Sequence, residues 1–432
     1  MLTADPIAYP RSTQAWWLLC VLCVIACISY ADRLVLSVLV DPLRQSLDLT
    51  DSAVGVLQGP AFTVVYVFSS LLFGRLADRR IRTNLLLAGA TCWCLCTMLC
   101  ALAGSFSTFL MARMLVGVSE ATLIPPAISM IADAFAPQRR GTAVGLFTMG
   151  TCIGGPLGIT AGGVLLAASQ GGLLSSTPLG ALEPWRQALL LMGLIGLLGP
   201  ALLLSVREPP RRQSALHTEL GPALWFFVRR GRLLAPLYLA MALLAVGDYG
   251  LVSWVPTTLS RRFSWPADRV GAMFGVVSAL ASIAGALLGG WISDIADRRA
   301  GIRGRLLTSA AAALAAAAAA GAISANHAWC VGAGLGLWIF ASVCAAVGGV
   351  ATLQELVPSR FRGTGVSILT FGNTLLGLGL GPNLVTLVTE HVYGWPAAVG
   401  FAVSTVIVPA GIMACIMFLG VASARALVES LD

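Results

Sequence analysis

Four ionisable side chains stand in two apolar stretches of this chain: Asp32 and Arg33 in Trp16–Val40, and Arg113 and Glu120 in the run from 106 to 133. Each charge at the centre of a bilayer costs about 2.5–3.5 kcal/mol on insertion scales, so four in two helices are expected to meet. Arg113 and Glu120 are two turns apart on one helix face, and Asp32–Arg33 lies at a comparable depth. Two positive and two negative charges balance, which predicts one network. The chemistry such a network offers is anion capture and proton exchange. The guanidinium fork suits carboxylate or phosphate, which assigns an anionic headgroup to Arg113 and Arg33. Asp32 or Glu120 then takes the proton, because taking an arginine away from a buried carboxylate favours its protonated form. The alternative is a permanent ion cluster that only sets helix register.

Other candidates are weaker. Asp248, in Gly247–Gly250, either faces a substrate cavity beside Tyr249 or is solvated near an outer mouth, and both readings stay open. Tyr66 either lines the substrate site or packs. The three histidines, His217, His327 and His391, fall in or beside connections and suit no proton relay. The eleven cysteines, including Cys92, Cys94, Cys96 and Cys100, lie in apolar runs without histidine. They read as small hydrophobes, so no metal and no cofactor are expected.

The elements that position these residues are membrane spans. Hydrophobic residues make up 57% of the chain, charged ones only 11%, and the mean hydropathy is +0.87, which excludes a soluble protein. Twelve runs of about 20 residues or more are long enough to cross a bilayer: 15–40, 53–76, 83–104, 106–133, 141–168, 184–206, 232–259, 267–294, 304–325, 328–354, 361–390 and 395–423. The first run is too long for a signal peptide and no small-residue cleavage site follows it. All 27 basic residues are arginine, most of them in loops that share one side if both termini are cytoplasmic. Scattered over short loops and tails, they mark topology and contact with anionic lipid, not nucleic acid.

The chain also repeats itself. Gly74–Arg82, GRLADRRIR, has a looser counterpart at Gly290–Arg299, GWISDIADRR, 216 residues on. Arg140–Gly150 matches Arg362–Gly372 at six of eleven positions with an offset of 222. This predicts two parallel six-helix bundles, 1–206 and 232–432, joined by a cytoplasmic linker, 207–231, that carries a short interfacial helix. Gly74, Asp78, Arg79, Asp133 and Asp294 are assigned to a conformational gate, in which glycine admits a neighbouring helix and aspartate faces its N-terminal end. The glycines of span five, Gly145 to Gly163, read mainly as backbone-to-backbone packing.

Twelve spans in two repeats, with G-x-L-A-D-R-R after span two, resemble the major facilitator superfamily along nearly the whole chain. Tyr30-Ala31-Asp32-Arg33, the R-x-x-x-G-x-x-E of Arg113–Glu120 and the Gly379–Pro382 segment are similar to the Spinster group. That resemblance implies a proton-linked carrier of lysolipids, with Asp32, Arg33, Arg113 and Glu120 at its working site. Span five departs from the antiporter Gly-Pro pattern after Gly155-Pro156, which leaves the direction of transport open. The expected protein is therefore an all-α, multi-pass protein of the bacterial inner membrane, monomeric, that moves an amphipathic anionic lipid by alternating access. Its expected partners are that substrate, protons and membrane lipids, with no nucleic acid. A proton-coupled carrier of a small organic anion or drug-like molecule is the alternative. An integral membrane enzyme would want a His/Asp or metal constellation, and none stands out. A nucleotide-driven pump would need the lysine of a phosphate loop, and the chain has none.

Overall fold

In the computed structural model, which describes residues 9–211, 220–358 and 361–424, every described element is helical. Arg212, His217, Arg425 and both termini lie outside the described residues. Eleven helical stretches are long and apolar enough to cross a membrane. The longest contains a break: Ala300 and Gly301 leave helical geometry, and Gly301 (φ 58°, ψ −154°) takes a conformation open to glycine. That element is two helices joined at a kink, consistent with the twelve spans read from hydropathy.

By internal contacts the chain falls into two units, 1–39 with 64–216, and 40–63 with 217–432. The short segment 40–63 thus groups with the second unit, a division that hydropathy alone does not mark. In the first unit, α1 (Ser12–Leu34) gives way to a 3-10 turn at Val35–Val38. The chain continues through α2 (Val40–Ser46) and α3 (Asp51–Gln58), both in the second unit, into α4 (Pro60–Arg79). Then come α5 (Arg82–Leu102), α6 (Phe106–Glu120), α7 (Ile124–Ala134), α8 (Pro137–Gln170), α9 (Pro184–Gly196) and α10 (Leu198–Leu203). The second unit adds α11 (Leu220–Arg229), α12 (Gly231–Phe263), α13 (Ala267–Ala320) and α14 (Ala328–Leu356). It closes with α15 (Arg362–Gly372), a π-helical stretch at Asn373–Leu378, α16 (Gly379–Val388) and α17 (Val399–Ser423).

Small residues decide which helices touch. A Cβ at Gly158 of α8 would stand 2.2 Å from the Ala31 carbonyl oxygen, and one at Gly154 2.4 Å from that of Cys27. Only glycine lets α8 lie on the backbone of α1, which holds the segment bearing Asp32 and Arg33 in place. The second unit repeats the device: a Cβ at Gly381 of α16 would stand 2.5 Å from the Val246 carbonyl oxygen of α12. Trp93 and Trp185 fill the first unit and Trp254 and Trp338 the second, all fully buried. Large apolar side chains such as Phe68, Leu71, Leu287 and Trp329 are instead well exposed, as lipid-facing positions are.

Candidate functional site

Both helices that carry the charged residues are interrupted beside them. The α1 helix ends at Leu34, directly after Arg33. The α6 helix ends at Glu120, and the chain restarts as α7, with prolines in its first turn, after the short Ala121–Leu123 turn. Proline suits a first turn because its missing N–H would be unpaired there anyway. Broken helices at membrane depth are tolerated where they are buried in protein or line a cavity, and they commonly form carrier sites.

Asp32, Arg33, Arg113 and Glu120 are all buried, at 4%, 4%, 2% and 1% exposure. Arg33 Nη2 donates to Glu120 Oε2 at 2.7 Å, and Ser29 Oγ donates to the same oxygen at 3.0 Å. Thr97 Oγ1 donates to Asp32 Oδ2 at 2.7 Å. The charges of Arg33, Arg113 and Glu120 all act on Asp32. Around the guanidinium of Arg33 lie the rings of Tyr30 (4.6 Å to the centroid) and Tyr66 (5.0 Å), both within cation–π range. The close partner of Glu120 is thus Arg33, on another helix, although Arg113 shares its helix face. The carboxylate also sits at the negative end of α6, where only a nearby cation makes it favourable.

Asp248 lies midway along α12 in the second unit. Its carboxylate accepts from Trp338 Nε1 at 2.8 Å and from Ser342 Oγ at 3.0 Å, both on α14. Gly247 makes room for this contact: a Cβ there would meet the Trp338 ring at 2.1 Å.

The basic loop is organised by Arg82. Its side chain is 1% exposed and pairs with Asp133 and with Glu208 Oε1 (2.9 Å), and it donates to Ser129 Oγ (2.9 Å) and the Pro209 carbonyl (2.8 Å). The first helical residues of α5 follow Ile81, which has no capping side chain. Glu208 supplies the cap from a distance, accepting from the backbone N–H groups of Arg82 (3.1 Å) and Thr83 (2.9 Å) and from the Thr83 hydroxyl (2.9 Å). Partial burial pushes the Glu208 carboxyl up, but these donors and the Arg82 guanidinium outweigh it and hold it below the usual glutamate range. The other end of the loop is capped by Arg211, whose guanidinium donates to the carbonyls of Ala77, Asp78 and Arg80.

Of the residues assigned to a gate, Asp133 is engaged by Arg82, whereas Asp78, Arg79 and Asp294 are exposed. Among the described residues no heavy atom lies within 4 Å of where a Gly74 Cβ would stand. The second unit carries a parallel arrangement. Arg305 pairs with Asp297 (2.9 Å) and with Glu355 (2.7 Å), and Glu355 stands 222 residues after Asp133. Sequence reasoning passed over Arg82, Glu208, Arg305 and Asp297. The 222-residue offset already found between α8 and α15 was the signal that links Asp133 to Glu355. It also passed over Arg261, which forks onto both carboxylate oxygens of Asp51 (2.7 Å each) and donates to Asp41 (2.7 Å). Nearby, Glu390 accepts the Ser52 N–H at 2.8 Å.

The sequence profile of the Major Facilitator Superfamily matches residues 22–382. An "MFS-type efflux pump" of Mycolicibacterium smegmatis is 26% identical over 87% of this chain and 85% of its own length. "Protein spinster" of Drosophila melanogaster is 26% identical over 66% of this chain, and human "Protein spinster homolog 1" 28% over 63%. The chain spans only 46% and 53% of those two relatives. Among solved structures, the fold is similar to that of a bacterial homologue of the human lysosomal transporter Spinster, in an inward-facing and unoccupied conformation. The TM-score is 0.77, with 24% identity and 98% of both chains covered. A D-xylose–proton symporter shares the fold at a TM-score of 0.67, with 16% identity, over 94% of this chain and 97% of that one.

Proposed function

The chain belongs to the Major Facilitator Superfamily, so it is a multi-pass transporter of the bacterial inner membrane, and we propose that it is a proton-coupled carrier of an amphipathic anionic lipid. The observation that carries the reading is the buried Arg33–Glu120 pair at the ends of two interrupted helices. An incoming phosphate competes with Glu120 for Arg33. Once Glu120 loses its counter-charge, the protonated carboxyl is favoured. A proton arriving first has the reciprocal effect: it releases Arg33 for the anion, as linkage requires. Arg113 adds positive charge beside Asp32, which serves as the second proton site. Tyr30 and Tyr66 hold the Arg33 guanidinium in reach of both partners.

The lipid reading is supported by the Spinster relatives and by the Tyr30–Arg33 and Arg113–Glu120 motifs, with a lysophospholipid or phosphorylated sphingoid base as the substrate class. A second reading, export of a small organic anion or drug-like molecule, is favoured by the mycobacterial efflux pump, which aligns over more of the chain than the Spinster relatives do. In both, Arg82–Asp133–Glu208 and Arg305–Asp297–Glu355 act as contacts that change with conformation, and no cofactor takes part.

Uptake into proteoliposomes under an imposed pH gradient separates the readings. A lysophospholipid is compared with a small monocarboxylate in the parent protein, Arg113→Ala and Glu120→Gln. Gradient-driven movement of lysolipid alone, with Glu120→Gln no longer responding to the gradient, is the expected result. Movement of the carboxylate alone removes the lipid reading, and transport untouched by both substitutions makes the charged cluster structural.

A further inference from the structure

Behind the charged pair, wholly within the first unit, lies a cavity of about 170 Å³. Its wall includes Cys27 and Asp32 of α1, Trp93 of α5, Leu157 of α8, and Met192 and Ile195 of α9. The lining is almost entirely apolar carbon and sulfur. Leu157 and Ile195 are 49% and 51% exposed, so the cavity's edge meets the lipid-facing surface of α8 and α9. Two polar atoms in this wall are anomalous. Asp32 Oδ1 and Trp93 Nε1 are buried with no hydrogen-bond partner among the described residues, on side chains only 4% and 1% exposed. They belong to one locality, because the other oxygen of Asp32 is held by Thr97, one turn along α5 from Trp93. A buried polar atom left unpaired costs on the order of 1–3 kcal/mol, so a pair of them in a cavity wall points to an occupant.

The two atoms restrict what that occupant is. The indole N–H can only donate. An ammonium group cannot accept from it, and a pure hydrocarbon satisfies neither atom. A hydroxyl accepts from Trp93 while it donates to an ionised Asp32 or accepts from a protonated one, so it fits either state of the carboxyl. One water would satisfy the polar atoms but leave most of the volume facing apolar walls, where water finds no partners.

We propose that this cavity is a lateral binding site for a membrane-borne alcohol, whose hydroxyl bridges Asp32 and Trp93 and whose apolar body fills the space between α1, α8 and α9. The site is distinct from the anion-binding face of Arg33 and does not depend on which substrate the carrier moves. Through Asp32 its occupant touches the charged cluster directly, so filling the site biases the proton-carrying side of the cycle.

The test is photolabelling of the full chain in lipid nanodiscs with an aliphatic diazirine bearing a terminal hydroxyl, with labelled peptides read by mass spectrometry. The expected labels fall on the segments around Cys27, Leu157 and Met192–Ile195. Excess 1-octanol should suppress them about tenfold better than octane, the difference that hydrogen bonding of this kind supports. Trp93→Phe, which removes only the N–H and keeps an aromatic ring, should narrow that preference severalfold. Ala161→Leu, which fills the cavity from α8, should abolish the labels, and thermal unfolding reports whether each variant is folded. Equal competition by octane, or an octanol preference unchanged in Trp93→Phe, overturns hydroxyl recognition. Absence of label from these segments in the parent protein, as for a cavity that holds water only, overturns the site itself.

Discussion

Replacing Glu208 by glutamine is expected to destabilise the first unit by about 2 kcal/mol at neutral pH. The figure comes from three local terms: loss of a helix cap (about 1 kcal/mol), loss of a carboxylate at a helix N-terminus (about 0.5) and loss of a partly exposed ion pair (about 0.5). Glutamine is no substitute, because one of the two oxygens becomes an NH2 that faces the donors of Arg82 or Thr83. The assay is thermal unfolding of detergent-solubilised protein with a thiol-reactive dye, since Cys94, Cys96 and Cys100 are free and buried. The pH dependence identifies the cause. The folded Glu208 carboxyl is held below its ordinary value, so its stabilisation is complete above the unfolded glutamate pKa of about 4.5. It then shrinks as pH falls through the lowered folded value. The gap between parent and Glu208→Gln should therefore be constant from about pH 8 to 5 and close at more acid pH. Equal unfolding temperatures at pH 7, or a gap that persists after the carboxyl is protonated, would refute the capping argument.

Gly158→Ala should lower the unfolding temperature sharply, because its Cβ would stand 2.2 Å from a backbone carbonyl, whereas Gly74→Ala meets open space and should unfold like the parent protein. Asp248→Ala should cost about 1–3 kcal/mol by leaving the fully buried Trp338 N–H without its acceptor, and Asp248→Asn, whose amide oxygen can still accept, should recover part of that in the same melt. Arg261→Gln should cost about 3 kcal/mol or more, since it strands the Asp51 carboxylate, 4% exposed, without the fork that holds it; a change below about 0.5 kcal/mol would show that Asp51 rehydrates instead.

The amino-acid sequence alone determined the solvent this protein folds in, the number and period of its spans, and its internal repeat. Each of these is a local or periodic property: run length, arginine placement, and the match of Arg140–Gly150 to Arg362–Gly372. It also singled out Asp32, Arg33, Arg113 and Glu120, because a charge in an apolar run is conspicuous without any knowledge of its neighbours. Tertiary structure decided the partners. Helical spacing puts Arg113 beside Glu120, yet the short contact is made by Arg33, 87 positions away, where α1 and α6 come together. The same holds for Arg82, which reads as one more basic loop residue until Asp133 and Glu208 are seen around it. The breaks after Leu34 and Glu120 were likewise illegible, since neither is marked by glycine or proline at the break itself. Pairing and helix interruption depend on which backbone approaches which, and Gly154 and Gly158 acquire that meaning only when Cys27 and Ala31 lie against them.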